Sequence, residues 1–454
     1  MDFRELSYAD APVIKAPPPG PLSQEYLDYH FGHEGGIVSY PRGMPMALRR
    51  GRGATVEDVD GNVYIDFFGG AGVMNVGHGN PQVIAAIQEQ IQALTHSLDF
   101  PTPARKALVE TLLPLLPPEL NRVSFGGPTG SDAVESAVKL ARYNTKRYPI
   151  LAFEGAYHGM TAGALTLCSG ASFKEDFLPL IPEVHFAPYA YCYRCAFGQE
   201  AGSCDLSCAR YVEHVLEDPH SGVARPAAII VEPVQGEGGS IAPPVEFMQS
   251  LRRSCDRHGV LLIADEIQAG FCRTGKMFSF QHSGVLPDIV TMSKALGGVG
   301  MPISGIAYRE EWNTWPPGKH IGTFRGNLAA YAAGAAALQF MVETDLAGHA
   351  LALGEKIVGW LQEIERESRI VGEARGKGLL IGVEFVLDRA TKEPAPELAR
   401  QVRNLCHKRG LLMEIGGHYF NVARFLPPLV VTEDLARKAV EIFADSVRDV
   451  EAAL

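Results

Sequence analysis

Val260–Gly298, VLLIADEIQAGFCRTGKMFSFQHSGVLPDIVTMSKALGG, decides how the rest of the chain reads. It holds two apolar runs, each ending in a polar group. Val260-Leu261-Leu262-Ile263-Ala264 stops at Asp265-Glu266, and Asp288-Ile289-Val290-Thr291-Met292 stops at Ser293-Lys294. Runs this apolar predict strands buried on both faces, as in a parallel sheet, and ligands of open α/β sheets sit off the strand carboxyl ends. Asp265 and Lys294 can therefore converge on one small site. An acid and an amine at neighbouring strand ends are what pyridoxal phosphate (PLP) requires. The lysine forms a Schiff base with its aldehyde, and the aspartate keeps its pyridine nitrogen protonated so that the ring accepts electrons. On spacing alone, a helix-capping Asp-Glu and a solvated surface lysine are the plain alternatives.

The chain has 454 residues, enough for two domains. A formal net charge of -11 argues against nucleic acid or an anionic membrane as partner. The start, MDFRELSYADAPVIKAPPPGPL, has no basic segment followed by an apolar core, and no run of about 18 apolar residues occurs. A cytoplasmic protein is expected, in which eight cysteines form no disulfide framework.

Working outward, residues 1 to about 35 read as a draped arm, because Pro17-Pro18-Pro19-Gly20-Pro21 resists regular hydrogen bonding. Ala54–Phe68 reads as a hairpin turning at Asp60-Gly61-Asn62. In NRVSFGGPTGSDAVESAVKLAR (residues 121–142), a strand runs through Thr129-Gly130-Ser131-Asp132 into an amphipathic helix. Free N–H groups and the helix dipole make such a turn an anion cup; Thr129 and Asp132 also resemble a capping box. Leu151-Ala152-Phe153 leads to Tyr157-His158, where an aromatic ring either stacks on a planar cofactor or is simply core. A strand over residues 227–231 ends at Glu232-Pro233, before the flexible Gln235-Gly236-Glu237-Gly238-Gly239. Strands alternating with helices over residues 120–310 predict a mostly parallel, doubly wound sheet. Beyond the helix of residues 327–342 the pattern turns to α+β. The expected organisation is an N-terminal arm with part of a small domain (residues 1–55), a large cofactor-binding domain (56–335) and a C-terminal small domain (336–454).

Taken together, TGSDAVESAVKLAR, AYHGMT, IIVEPVQGEGG and IADEIQAGFCRTGKMFSF with PDIVTMSKALGG resemble the PLP-dependent class III aminotransferases, from about Tyr40 onward. The resemblance implies PLP fold type I and a homodimer with shared active sites, with pairing of dimers into tetramers left open. It implies that Lys294 bonds to PLP and shuttles protons, Asp265 meets the pyridine nitrogen and Gln268 the ring oxygen. Tyr157 would stack on the ring with His158 beside it. Gly130 and Ser131 would hold the phosphate, joined by Thr323 (in HIGTFRGN) from the partner subunit. Arg424, in NVARFLPPL, matches an arginine that binds a substrate carboxylate, its alternative being a structural ion pair. Glu232 matches a glutamate that pairs with that arginine when no carboxylate is present.

The implied reaction is ping-pong transfer of an amino group from an ω-amine, diamino acid or amino acid to a 2-oxo acid such as 2-oxoglutarate or pyruvate. Met160 stands where 4-aminobutyrate-type members carry an arginine. Ser39-Tyr40-Pro41-Arg42, His158-Gly159-Met160-Thr161, Phe271–Lys276 and Gly322–Asn327 resemble 2,4-diaminobutyrate 4-aminotransferases and related ω-aminotransferases, while Gly416-Gly417-His418-Tyr419-Phe420 departs from them. The rival activity is amino-acid racemisation on the same scaffold, which needs a second acid opposite Lys294. Cys192-x-x-Cys195 and Cys204-x-x-x-Cys208 have the density of a metal site, but the stretch also reads as a surface insertion held by packing or one disulfide; no metal is assigned to it.

Overall fold

The computed structural model describes residues 2–454. It divides into two compact units, one of residues up to Pro81 with His349–Leu454, the other Gln82–Gly348. The sequence placed its breaks at 55/56 and 335/336. Two features explain the displacement. Residues 55–66 pair with strands contributed from both ends of the chain, and the small-residue helix Leu328–Glu343 runs unbroken past 335.

In the first unit, β1 (Leu48–Arg52), β2 (Thr55–Asp58) and β3 (Val63–Asp66) form an antiparallel meander, the β2–β3 turn falling at the expected Asp60-Gly61-Asn62. The N-terminal arm is not draped throughout: Pro21–His33 is a helix. Proline is tolerated at its first position, where no N–H is needed. Gly20 supplies no side-chain cap, and Asp60 substitutes from the hairpin turn, accepting from the Leu22 and Ser23 N–H groups at 2.8 Å each. A cap supplied from so far along the chain leaves no local signal.

The second unit is built on a seven-stranded sheet. Its strands are β4 (Arg122–Phe125), β5 (Ile150–Phe153), β6 (Val184–Ala187), β7 (Ala228–Val231), β8 (Leu261–Asp265), β9 (Ile289–Met292) and β10 (Gly305–Tyr308), in the order β4-β10-β9-β8-β7-β5-β6. Only β10 runs antiparallel to its neighbours. Successive strand residues face opposite ways, and both faces are buried here. Leu151, Phe153, Ile229, Val231 and Leu262 join one core, while Ile150, Ala152, Ala228, Ile230, Leu261 and Ile263 join another. That is why these strands read as unbroken apolar runs rather than alternating ones.

The chain then returns to the first unit. Here β11 (Val371–Lys377), β12 (Leu380–Asp388), β13 (Glu393–Pro394), β15 (Glu414–Gly416) and β16 (Val422–Phe425) make an antiparallel sheet, and β14 (Leu411–Leu412) pairs parallel with β3. The helices Pro396–Lys408 and Glu433–Ala452 belong to the same unit.

Asp288 fixes the register of the two decisive strands. Its buried carboxylate accepts from the Leu262 N–H at 2.8 Å and pairs with Arg252 at 2.8 Å. Asp288→Ala leaves Arg252 with only the exposed Asp256 as its acidic partner and removes the acceptor of the Leu262 N–H, and should cost about 3 kcal/mol, read as a lower urea midpoint. A midpoint unchanged from wild type would show that the register does not depend on this pair.

Candidate active site

Strands β5, β7, β8 and β9 are parallel, so their carboxyl ends gather along one edge of the sheet. The segments leaving those ends carry Tyr157-His158, Glu232, Asp265 and Lys294 respectively. Strand β4 delivers Gly130 and Ser131 through the glycines after Phe125.

Asp265 is buried at the last position of β8. One oxygen accepts from the Ile267 N–H and the Thr291 hydroxyl, both at 3.0 Å; the other lies 2.6 Å from His158 Nδ1. Burial opposes a charge on His158, but Asp265 outweighs it and raises the imidazole pKa. A positive charge on this imidazole is favoured by the carboxylate beside it. Thr291 faces Asp265 directly in the β8–β9 register, a placement the sequence reading missed although the strand ends themselves implied it.

Lys294 follows β9 and is half-buried. Its backbone has φ of +44°, in the left-handed region that costs a non-glycine residue of order 1–3 kcal/mol and that clusters at functional sites. Ser293 anchors the turn by donating to the Ile303 carbonyl at 2.8 Å.

Glu232 is buried just past β7, its two oxygens accepting from the Tyr157 and Gly236 N–H groups at 3.0 Å each. Burial, reinforced by the charge of Asp265, pushes it up to about 7. Glu266 is also buried, binding the Ser279 and Phe280 N–H groups at 2.8 Å; burial pushes it up to about 7 as well. The Tyr157 ring meets Phe173 edge to face at 5.7 Å between centroids. Gln268 lies over Gly236, where a Cβ would fall 1.7 Å from its Oε1.

At the phosphate end, the helix Gly130–Thr145 starts where expected, and Asp132 reaches back to the Thr129 N–H and hydroxyl at 3.0 and 2.8 Å. Ser131 Oγ accepts from the Met160 N–H at 3.2 Å, and a Cβ on Gly159 would lie 2.1 Å from that Oγ. Only glycine fits there, also because its φ is +125°.

These features fit PLP. A helix start offers N–H groups to a phosphate, a hydrogen-bonded carboxylate stands at a strand end, and a lysine stands at the next. Thr323 is exposed in the short turn Thr323–Gly326, its carbonyl accepting from His96 at 2.7 Å. Arg424 lies in the other unit, on β16, buried and paired with Glu414 Oε2 at 2.6 Å. The sequence reading named no role for Glu414, whose place opposite Arg424 depends on a hairpin register. Cys192, Cys195, Cys204 and Cys208 line one cavity of about 20 Å³. Among the described residues, no three acids, histidines or cysteines are arranged to hold a metal ion, and no disulfide forms.

A parallel-rich sheet with an acid and a strained lysine at adjoining strand ends defines a PLP-dependent α/β enzyme. The family model for class-III aminotransferases matches residues 39–447, and the chain belongs to that family. It is 41% identical to the diaminobutyrate–2-oxoglutarate aminotransferase of Haemophilus influenzae over 94% of this chain and 96% of that protein. It is 36% identical to the alanine/serine racemase of Pyrococcus horikoshii over 98% of this chain and 94% of that protein. Among solved structures, it resembles a PLP-bound amine transaminase from an uncultivated Pseudomonas species, with TM-score 0.84, 29% identity and coverage of 92% and 98%. The chain is an aminotransferase and its cofactor is PLP. No helix of the described residues is long and apolar enough to cross a membrane.

The two raised glutamates set a pH dependence of stability. Their ordinary value is 4.5 and their folded value about 7, so between these limits the folded state holds protons that the unfolded state has lost. Stability therefore falls as pH rises through that window. Denaturant midpoints measured across it should decline, and Glu266→Gln should flatten the decline. An equally steep decline in the variant would contradict the shift at Glu266.

Proposed function

We propose that this aminotransferase takes the distal amino group of a diamino acid or other ω-amine and passes it to a 2-oxo acid. The observation that carries the reading is the strained Lys294 beside the Asp265–His158 pair, taken with the likeness to diaminobutyrate-using relatives. When bound, PLP supplies an electron sink for the carbon that bears the reacting amine.

The chain's residues do the rest. Lys294 Nζ would hold the cofactor and, once freed by substrate, would move the proton at the amine-bearing carbon. Asp265, hydrogen-bonded to His158, would keep a proton on the pyridine nitrogen. Gln268 would meet the ring oxygen and Tyr157 would cover the ring. Gly130 and Ser131 present N–H groups to the phosphate. Glu232 and Arg424 are the substrate residues, the guanidinium binding a carboxylate in two-pronged fashion. Racemisation is the weaker reading. It requires a proton donor facing Lys294 across the substrate, whereas Asp265 and Glu232 are both committed to hydrogen bonds within the site.

The enzyme is further proposed to be a cytoplasmic homodimer, its eight cysteines kept as thiols. Leu98, Phe100, Ile321 and Phe324 are exposed where residues 97–100 adjoin 322–326, and Thr323 stands among them. A second copy covering this apolar patch would receive Thr323 at its phosphate cup.

Lys294→Ala should abolish turnover by many orders of magnitude while phosphate and stacking contacts still retain PLP. Wild-type-like turnover would remove Lys294 from the chemistry. Holoenzyme mixed with 2,4-diaminobutyrate alone should accumulate the aminated cofactor, seen by its absorbance, and need a 2-oxo acid to turn over. Racemisation of an amino acid without any oxo acid would reverse the assignment. For the dimer, sedimentation should give twice the chain mass, with Phe324→Asp shifting it towards monomer and weakening PLP retention; a monomeric wild type that holds PLP as tightly would refute the shared site.

A further inference from the structure

Thr291 is fully buried and stands opposite Asp265 across the β8–β9 pairing. Its carbonyl accepts from the Glu266 N–H at 3.1 Å, and its hydroxyl donates to Asp265 Oδ1 at 3.0 Å. The same oxygen accepts from the Ile267 N–H at 3.0 Å, in the local turn that an aspartate makes with the residue two ahead. Oδ2 meets His158 Nδ1 at 2.6 Å. All of these residues belong to the Gln82–Gly348 unit. A carboxylate oxygen has two lone pairs. Among the described residues, these contacts fill both on Oδ1 and leave one open on Oδ2.

We infer that Thr291 is a positioning residue for the cofactor: its hydroxyl completes one oxygen of Asp265, so that the ring nitrogen of PLP must take the other, the one already beside His158. The inference rests on the reading of Asp265 as the partner of that nitrogen.

Two properties of the side chains make this effective. The Cβ–Cγ torsion of an aspartate is broad, so covalent geometry alone does not hold the plane of the carboxylate. The Ile267 N–H by itself is a pivot about which that plane can turn. A second donor on the same oxygen, from a different strand, stops the turn. Threonine suits the task because branching at Cβ makes its side chain stiff, and a packed strand leaves it no room to swing. Its hydroxyl is also a neutral donor. It favours the charged form of Asp265 and brings no counter-charge that would weaken the carboxylate's hold on the ring proton.

The test titrates apoenzyme with PLP and, separately, with 1-deazapyridoxal phosphate, in which a C–H replaces the ring nitrogen and has no hydrogen bond to offer Asp265. Wild type should prefer PLP. Thr291→Val keeps the shape and removes the hydroxyl. It should weaken PLP about tenfold, the scale of one hydrogen bond to a charged group, and leave the analogue within about twofold of wild type. Thr291→Ser restores the donor and should recover most of the loss. Thr291→Cys, whose thiol is a weaker donor, serves if the valine variant folds poorly, and should show the same selective loss in smaller measure.

Equal weakening of PLP and the analogue would overturn the proposal and leave Thr291 as a tie between strands. PLP affinity unchanged in Thr291→Val, or a loss in Thr291→Ser as large as in Thr291→Val, would overturn it too. Failure of the underlying reading looks different: wild type would bind PLP and the analogue equally, and Asp265→Asn would weaken neither.

Discussion

The site depends on making one buried carboxylate tolerable. An isolated charge at the end of β8 would cost several kcal/mol in lost hydration. Asp265 offsets this with an imidazole at 2.6 Å, a backbone N–H and a threonine hydroxyl. Each partner comes from a different element. Thr291 is on β9, His158 follows β5 and Ile267 lies in the turn after β8. The charge is thus affordable only if all of these strands are parallel and in register. Sheet topology and site chemistry are one constraint here, and Asp288, which ties β9 to β8 at their other ends, enforces it from outside the site.

That carboxylate also governs its neighbours. Glu232 and Glu266 lie close by, and burial together with the charge of Asp265 moves both to about 7. The flanking acids Glu232 and Glu266 hold protons across much of the acidic range. Each still has work in its protein setting. Glu232 ties the Tyr157 backbone to the loop at Gly236, and Glu266 ties the Ser279–Phe280 turn. Protonated or not, a carboxyl group retains acceptor oxygens, so these ties survive the shift in charge.

What the sequence made legible follows from what is local. Asp265 and Lys294 were readable because a doubly buried strand is an apolar run and its end is marked by the first polar residue. The start of the Gly130–Thr145 helix was readable because a capping sequence is short-range. The helix Pro21–His33 was not, because its cap is Asp60, and the pairing of Glu414 with Arg424 was not, because it depends on a β-hairpin register. The domain breaks were misplaced for a related reason: β3 takes its parallel partner β14 from the far end of the chain. Periodicity identifies elements, but it does not say which distant element they complete.

Two of the functional side chains are placed by atoms that are missing elsewhere. Ser131 can approach the segment after Tyr157 because Gly159 has no Cβ, and Arg424 can lie along β15 because Gly416 has none. In each case the glycine and the side chain it admits belong to different elements, so neither local propensity nor spacing ties them together. The energetic logic is nevertheless direct. A glycine in a strand or after a strand end forfeits packing and adds unfolded-state entropy, a cost of roughly 0.5–1 kcal/mol relative to alanine. The fold accepts that cost where it lets a polar group press against backbone rather than solvent. A serine so held cannot rotate away from the phosphate cup, and an arginine so held cannot follow an anion outward. Rigidity of this kind makes a recognition site selective, because the ligand must bring the complementary charges to fixed positions instead of drawing the protein to itself.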